Sequence, residues 1–159
     1  MDKLLRLLKQ NALESPRNIA RMLNMSEAEV KAKISSYEKS GVIRGYQAIV
    51  NEDLLNLNRV RAVIEVKITP EREGGFDRVA SRISRFKEVK SLFLMSGAYD
   101  LLVIVTGENL REVAAFVSEK LATIEGVVST STHFMLKTYK DQGVLMEAEE
   151  KDERLKVTP

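Results

Sequence analysis

The chain has 159 residues, 44% of them hydrophobic and 30% charged, with no cysteine, one histidine and a formal net charge of +2. Those values suit one mid-sized or two small globular domains, and the missing thiols exclude disulfides and thiolate metal sites. No apolar run approaches the roughly 18 residues that span a bilayer and the first residues lack a secretory layout, so a cytoplasmic protein is expected. The charge divides unevenly along the chain. Residues 1–45 hold nine Lys/Arg against five Asp/Glu, net +4; residues 46–58 are −2, residues 59–140 are +3 and residues 141–159 are −3. A basic front segment followed by an acidic tail is the distribution expected of a chain whose N-terminal part meets phosphates.

Leu4, Leu5 and Leu8, with Leu13 at the edge of the pattern, recur at helical spacing. A second helix is predicted to open at Ser15-Pro16, serine capping the free amides and proline occupying a position whose hydrogen bond would not be made anyway. Its buried stripe is Ile19, Ala20 and Leu23. Ser26 followed by Glu29 is a capping box, and the third helix runs from there to about Ser40, where Gly41 stops it. The tight joint at Asn24-Met25-Ser26 has the spacing of a helix-turn-helix, whose second helix enters the major groove. The segment from Val42 to Val50 alternates as a strand does and supplies Arg44 where a wing would approach the DNA backbone.

With Val30, Ile34 and Tyr37 turned inward, the third helix presents Ala28, Ala32, Ser35 and Lys39 on its opposite face, flanked by Lys31 and Lys33. The candidate DNA contacts are therefore Ser26, Lys31, Lys33, Ser35, Lys39 and Arg44. No Arg, Asn or Gln on that face can make bidentate base contacts, so affinity should lean on phosphate contacts and sequence discrimination per site should be modest. Glu27 and Glu29 would repel phosphate unless turned away. A generic three-helix bundle is the bland alternative.

The second half reads as strand 59–68, helix 76–86, strand 89–95, turn 96–98, strand 100–106, helix 109–122 and strand 127–137. That order is the ferredoxin-like βαββαβ plan, in which two helices cover one face of the sheet. Residues 92–95 and 101–105 are apolar on both alternating faces, and strands apolar on both sides need cover on both sides. The second face is therefore expected to meet another copy of the chain. His133 stands alone on the last strand, more in keeping with a hydrogen-bonded surface residue than with a catalyst.

The whole pattern resembles the Lrp/AsnC family of feast/famine regulators over roughly residues 3–140. The resemblance rests on the stretch Ile19 to Ser26, on Gly41-Val42-Ile43-Arg44-Gly45-Tyr46, on Ser96-Gly97-Ala98-Tyr99-Asp100-Leu101-Leu102, and on Gly126-Val127 with Thr130 and Thr132. It implies an α+β chain of winged helix-turn-helix (1–50), linker (51–58), ferredoxin-like RAM-type effector and oligomerisation domain (59–140) and acidic tail (141–159). It further implies DNA binding, homodimers joined through the sheet and assembled into tetramers or octamers, and an amino-acid effector held near Gly97, Ala98, Tyr99, Asp100, Thr130 and Thr132. No cofactor or metal is implied. Chemically, the turn offers backbone amides for a carboxylate, and Asp100 an acceptor for an ammonium; the alternative is that these residues only build the hairpin. The third helix departs from the family in carrying Glu27, Ala28, Glu29 and Ala32, and the linker in carrying Leu57-Asn58.

Two other functions stay open on the same architecture: an enzyme like the tetrapyrrole decarboxylases, and a sensor that acts only through protein contacts. No Ser-His-Asp set or phosphate-cradling glycine loop stands out to support the first. In the tail, Leu155 and Val157 are expected to dock on the body or a neighbouring copy, with the acidic residues 147–153 looping between.

Overall fold

The computed structural model describes residues 1–55, 57–70 and 75–146. The chain divides into two compact units, Met1–Ile49 and the chain from Val50 onward.

The first unit contains α1 (Lys3–Gln10), α2 (Pro16–Leu23) and α3 (Glu27–Lys39). Each begins at a side-chain cap. Asp2 accepts from Leu4 N at 2.9 Å, Ser15 from Asn18 N at 3.1 Å and Ser26 from Glu29 N at 3.2 Å. Glu29 closes the capping box by accepting from Ser26 N at 2.8 Å. Asn24 ends α2 in the left-handed region, and Gly41 follows α3 at φ 74°, a conformation that favours glycine. Leu4, Leu8, Ile19, Ala20 and Val30 form the core, with Leu23, Ile34, Tyr37 and Ile43 packed against it. Leu13 does not join it; it lies just beyond α1 and is 94% exposed.

The expected wing strand differs. Among the described residues, 42–50 pair with no strand. Ile43 is drawn onto the core and its amide bonds Tyr37 O, which pins the start of the segment to α3. On either side of it Val42, Tyr46, Ile49 and Val50 are exposed. An alternating pattern forms a strand only where a second strand can supply its ladder.

The second unit is built on β1 (Val60–Ile68), α4 (Asp77–Ile83), β2 (Val89–Leu94), β3 (Leu101–Gly107), α5 (Leu110–Ala115) and β4 (Val127–Met135). The sheet order is β2-β3-β1-β4, and all three pairings are antiparallel. This is the ferredoxin-like arrangement. One face buries Ala62, Ile64, Val66 and Ile68 of β1 with Leu101, Val103 and Val105 of β3 against Val79, Ile83, Val113, Phe116 and Leu121 from the helices. Phe86 and Phe116 meet edge to face with centroids 5.5 Å apart.

The first helix is shorter than its periodicity suggests, and the second changes pitch. After Ile83 the chain tightens into turns, Arg85 N bonding Arg82 O and Phe86 N bonding Ile83 O. After Ala115 the helix widens into a π-helical stretch, Phe116–Leu121. Its wider turn lets Phe116 and Leu121, five residues apart, both face the core. Sequence periodicity assumes one fixed pitch and reads neither change.

The first residues of the segment expected to be tail, from 141, are ordered. Lys140–Asp141 (β5) and Val144–Leu145 (β6) pair as a small hairpin across Gln142 (φ 50°) and Gly143 (φ 90°). Two consecutive positive φ values make a type I′ turn. The linker holds this hairpin, because Asn51 Nδ2 donates to Met146 O at 2.6 Å. The linker itself makes a short 3-10 turn at Glu52–Leu55. The docking expected of Leu155 and Val157 lies outside the described residues.

Candidate DNA-binding and effector sites

On α3 the expected phosphate contacts fall into two groups. Lys31 Nζ is 2.6 Å from Glu27 Oε1, and Lys33 Nζ is 3.4 Å from Asp2 Oδ2. Lys39 in the last turn and Arg44 beyond it are exposed, and the Arg44 guanidinium folds back over Gly41. The Ser26 hydroxyl is occupied by the capping box, donating to Glu29 Oε2 at 2.7 Å; what it can still offer a phosphate is slight. Ser35 is half-buried. The two carboxylates that threatened to repel DNA are both engaged: Glu29 by the Ser26 backbone and hydroxyl, Glu27 by Lys31. These bonds hold each carboxyl below its ordinary range.

Sequence reasoning missed Asp2. Its carboxylate caps α1, accepts from the Tyr37 hydroxyl at 2.6 Å and faces Lys33. It thereby ties the first helix to the recognition helix. The Tyr37 bond, the Leu4 amide and Lys33 together hold its pKa down to about 2. The usable signal was an N-cap residue at position 2, but its partner lies 35 residues away.

In the second unit Asp100 does structural work. Its amide donates to Val66 O at 3.1 Å, its carbonyl accepts from Met95 N at 2.8 Å, and Oδ2 accepts from Ile68 N at 2.8 Å. It continues the β3 grip on β1 past Leu101, beside the register shift at Lys67/Ile68. Tyr99 is half-buried; Gly97 and Ala98 are exposed. Gly97 is not at positive φ, and a Cβ built on it would meet nothing within 4 Å. The fold of one chain therefore gives no reason for a glycine there.

Thr130 and Thr132 pair with Val66 and Ile64 on β4, the far edge of the sheet from the turn. Asp100 N also bonds Val66, so Asp100 and Thr130 flank the same β1 residue from opposite sides. Two strand spacings, about 9.6 Å, separate their backbones. No described cavity joins these residues. A cleft of about 90 Å3 lies elsewhere, lined by Arg59, Arg61, Lys137 and Asp141 among others.

The face away from the helices is apolar on only one half. Leu102 and Ile104 of β3 are half-buried and Phe93, opposite Leu102, is half-exposed. On the other half, Glu65 of β1 and His133 of β4 approach to 3.5 Å, with the Ser131 hydroxyl 3.4 Å from the ring. His133 thus sits in an exposed polar pair. Among the described residues, no group of three or more His, Asp or Glu could hold a metal ion.

A helix-turn-helix unit followed by a ferredoxin-like unit fits a class: DNA-binding regulators that carry a second, α+β domain. Residues 3–44 match the winged helix-turn-helix DNA-binding family, and residues 61–145 match the Lrp/AsnC ligand-binding domain. The chain is 44% identical over 158 residues to the HTH-type transcriptional regulator YugG of Bacillus subtilis, covering 99% of this chain and 95% of that one. It belongs to the Lrp/AsnC family of transcriptional regulators. Similar folds include a Neisseria meningitidis transcriptional regulator in complex with L-methionine, at TM-score 0.69 and 23% identity, covering 89% of this chain and 93% of that one. Another is a feast or famine regulatory protein from M. tuberculosis complexed with L-methionine, at TM-score 0.69 and 19% identity, covering 91% and 95%. Among the described residues no helix is long and apolar enough to cross a membrane.

Proposed function

We propose that this DNA-binding regulator senses an amino acid at a site completed by a second copy of the chain, and that ligand changes its assembly and hence its hold on DNA. Gly97 carries the proposal. A glycine costs backbone entropy, yet here neither φ nor packing requires it; open space at an exposed turn suits close approach from outside the chain. Tyr99 supplies an apolar wall and a hydroxyl, the Gly97-Ala98 amides meet a carboxylate, and the unshared Asp100 oxygen accepts from an ammonium. Thr130 and Thr132 lie too far across the sheet to close the same site within one chain, so they serve a site formed with a partner copy. The half-apolar open face, with Phe93, Leu102 and Ile104, is the surface through which two copies pair.

On DNA, the contacts come from Lys31, Lys33, Lys39 and Arg44, with Ser26 and Ser35 in lesser roles. Lys31 and Lys33 must exchange their carboxylate partners for phosphate, which makes affinity modest and salt-dependent. That the L-methionine complexes belong to proteins of this fold supports an amino acid as the ligand class, and kinship with regulators favours regulation over catalysis.

Calorimetry with a panel of amino acids, methionine included, tests the site. Asp100→Asn keeps an acceptor for Ile68 N and removes the charge, so it separates folding from binding where alanine would not. Losing a charged hydrogen bond costs about 1–3 kcal/mol, so ligand affinity should fall roughly five- to 150-fold while the Tm stays near wild type. Gly97→Ala should leave the fold intact and weaken both ligand binding and assembly. Equal ligand affinity in both variants and wild type would place the site elsewhere.

A further inference from the structure

The second unit also displays a cluster of cations. Segment 78–90 carries Arg78, Arg82, Arg85, Lys87 and Lys90 against one carboxylate, Glu88. Glu88 feels Lys87 only at longer range and is committed to another partner. It is buried, and its Oε1 lies 2.7 Å from Lys120 Nζ, which brings a further cation to the same region. Arg82 and Arg85, three residues apart, share one side of α4 and the turn that extends it. Lys90 Nζ donates to Lys87 O at 3.1 Å, bringing the lysine of edge strand β2 back over that turn. Arg82, Arg85, Lys87 and Lys90 are all exposed. Among the described residues none of these four pairs with a carboxylate, whereas Lys31, Lys33, Arg59, Arg61 and Lys120 each do.

We infer that this surface is a second contact for the phosphate backbone of double-stranded DNA, engaged when the DNA extends beyond the stretch held by the helix-turn-helix. Cations with no carboxylate to give up keep the full gain of counterion release when a polyanion arrives. The exposed side chains from 82 to 90 are Arg, Ser and Lys; the one aromatic, Phe86, packs against the core. Without exposed rings the surface cannot stack unpaired bases, and without exposed apolar anchors it does not suit a membrane interface. Charge without base-reading geometry is the chemistry of backbone positioning.

The inference rests on DNA binding by the first unit, and duplex length separates the two. Full-length protein is titrated across a salt series with a duplex of about 20 base pairs, near two helical turns, and one of about 150. In the triple variant Arg82→Gln/Arg85→Gln/Lys87→Gln, the slope of log affinity against log salt should fall by about two to three units on the long duplex. It should stay unchanged on the short one. Lys39→Gln with Arg44→Gln should weaken both duplexes. Arg82→Lys/Arg85→Lys, which keeps the charge, should behave as wild type; loss there, or an unchanged slope in the triple variant on long DNA, overturns the inference. So does equal loss on both duplexes, or a triple variant that sediments as a smaller assembly, which would assign these cations to contacts between copies. Wild-type protein that binds neither duplex would defeat the DNA reading itself, and this inference with it.

Discussion

The two units are held together by different means. The first has five buried core residues, Leu4, Leu8, Ile19, Ala20 and Val30, and leans on polar fasteners: three helix caps, a capping box and the Asp2–Tyr37 bond. Among its described residues the second buries twelve apolar side chains between sheet and helices and one charged group, Glu88, which is paired with Lys120. A unit of under 50 residues buries a small share of its surface, so single hydrogen bonds carry weight there that methyl groups carry in the larger unit. Electrostatics follow the same division. Three carboxyls of the first unit, Asp2, Glu27 and Glu29, are held below their ordinary range, against Glu88 alone among the described residues of the second.

The largest effect that would sharpen this contrast lies on the sheet. Ile64→Ala removes a fully buried side chain and should destabilise the second unit by about 2–5 kcal/mol in denaturant unfolding. Ile104→Ala, on the other face of the neighbouring strand, should cost the isolated chain under about 1 kcal/mol but shift sedimentation toward monomer. A large stability loss with no change in assembly would mean that this face is not where copies meet.

A smaller effect is expected at the fasteners. Ser26→Ala removes the α3 cap and half of its capping box, and should cost the first unit about 0.5–2 kcal/mol. If calorimetry shows its transition unmoved, the first unit does not depend on its caps as described.

The smallest effect is acid sensitivity. Asp2 has its pKa lowered from 3.8 to about 2 by Tyr37, the Leu4 amide and Lys33. A lowered carboxyl contributes stability fully above its unfolded value and loses it as pH falls through the folded one. The first unit should therefore weaken between about pH 4 and pH 2, and Asp2→Asn should flatten that limb of its pH profile. Helical signal that falls with the same pH profile in variant and wild type would show that Asp2 does not couple α1 to α3.

The helix-turn-helix was legible because its signals are local. Ser15-Pro16, Ser26 with Glu29, and Gly41 each act within four residues of where they stand, and each cap is where the sequence puts it. The βαββαβ order was legible because alternation and helical periodicity survive in short windows. Asp141-Gln142-Gly143 reads as tail, since a glycine after a polar pair marks a hairpin only when strands flank it, and here they are two residues each.

What the sequence could not decide is who pairs with whom. Residues 42–50 carry a strand pattern without a partner strand, and no local rule announces that. The sequence does not show that the fold sets Glu27 and Asp2 beside Lys31 and Lys33, while Arg82, Arg85, Lys87 and Lys90 form no close carboxylate pair among the described residues. Asp100 reads as a ligand group, and the sequence does not show that Ile68, 32 residues earlier in the chain, takes one of its oxygens. Periodicity and capping are properties of a few adjacent residues, so sequence alone determined the order of elements and the two-unit plan. Hydrogen bonds and ion pairs between distant segments depend on where the chain returns, and only the tertiary structure decided which polar groups remain free to meet DNA or ligand.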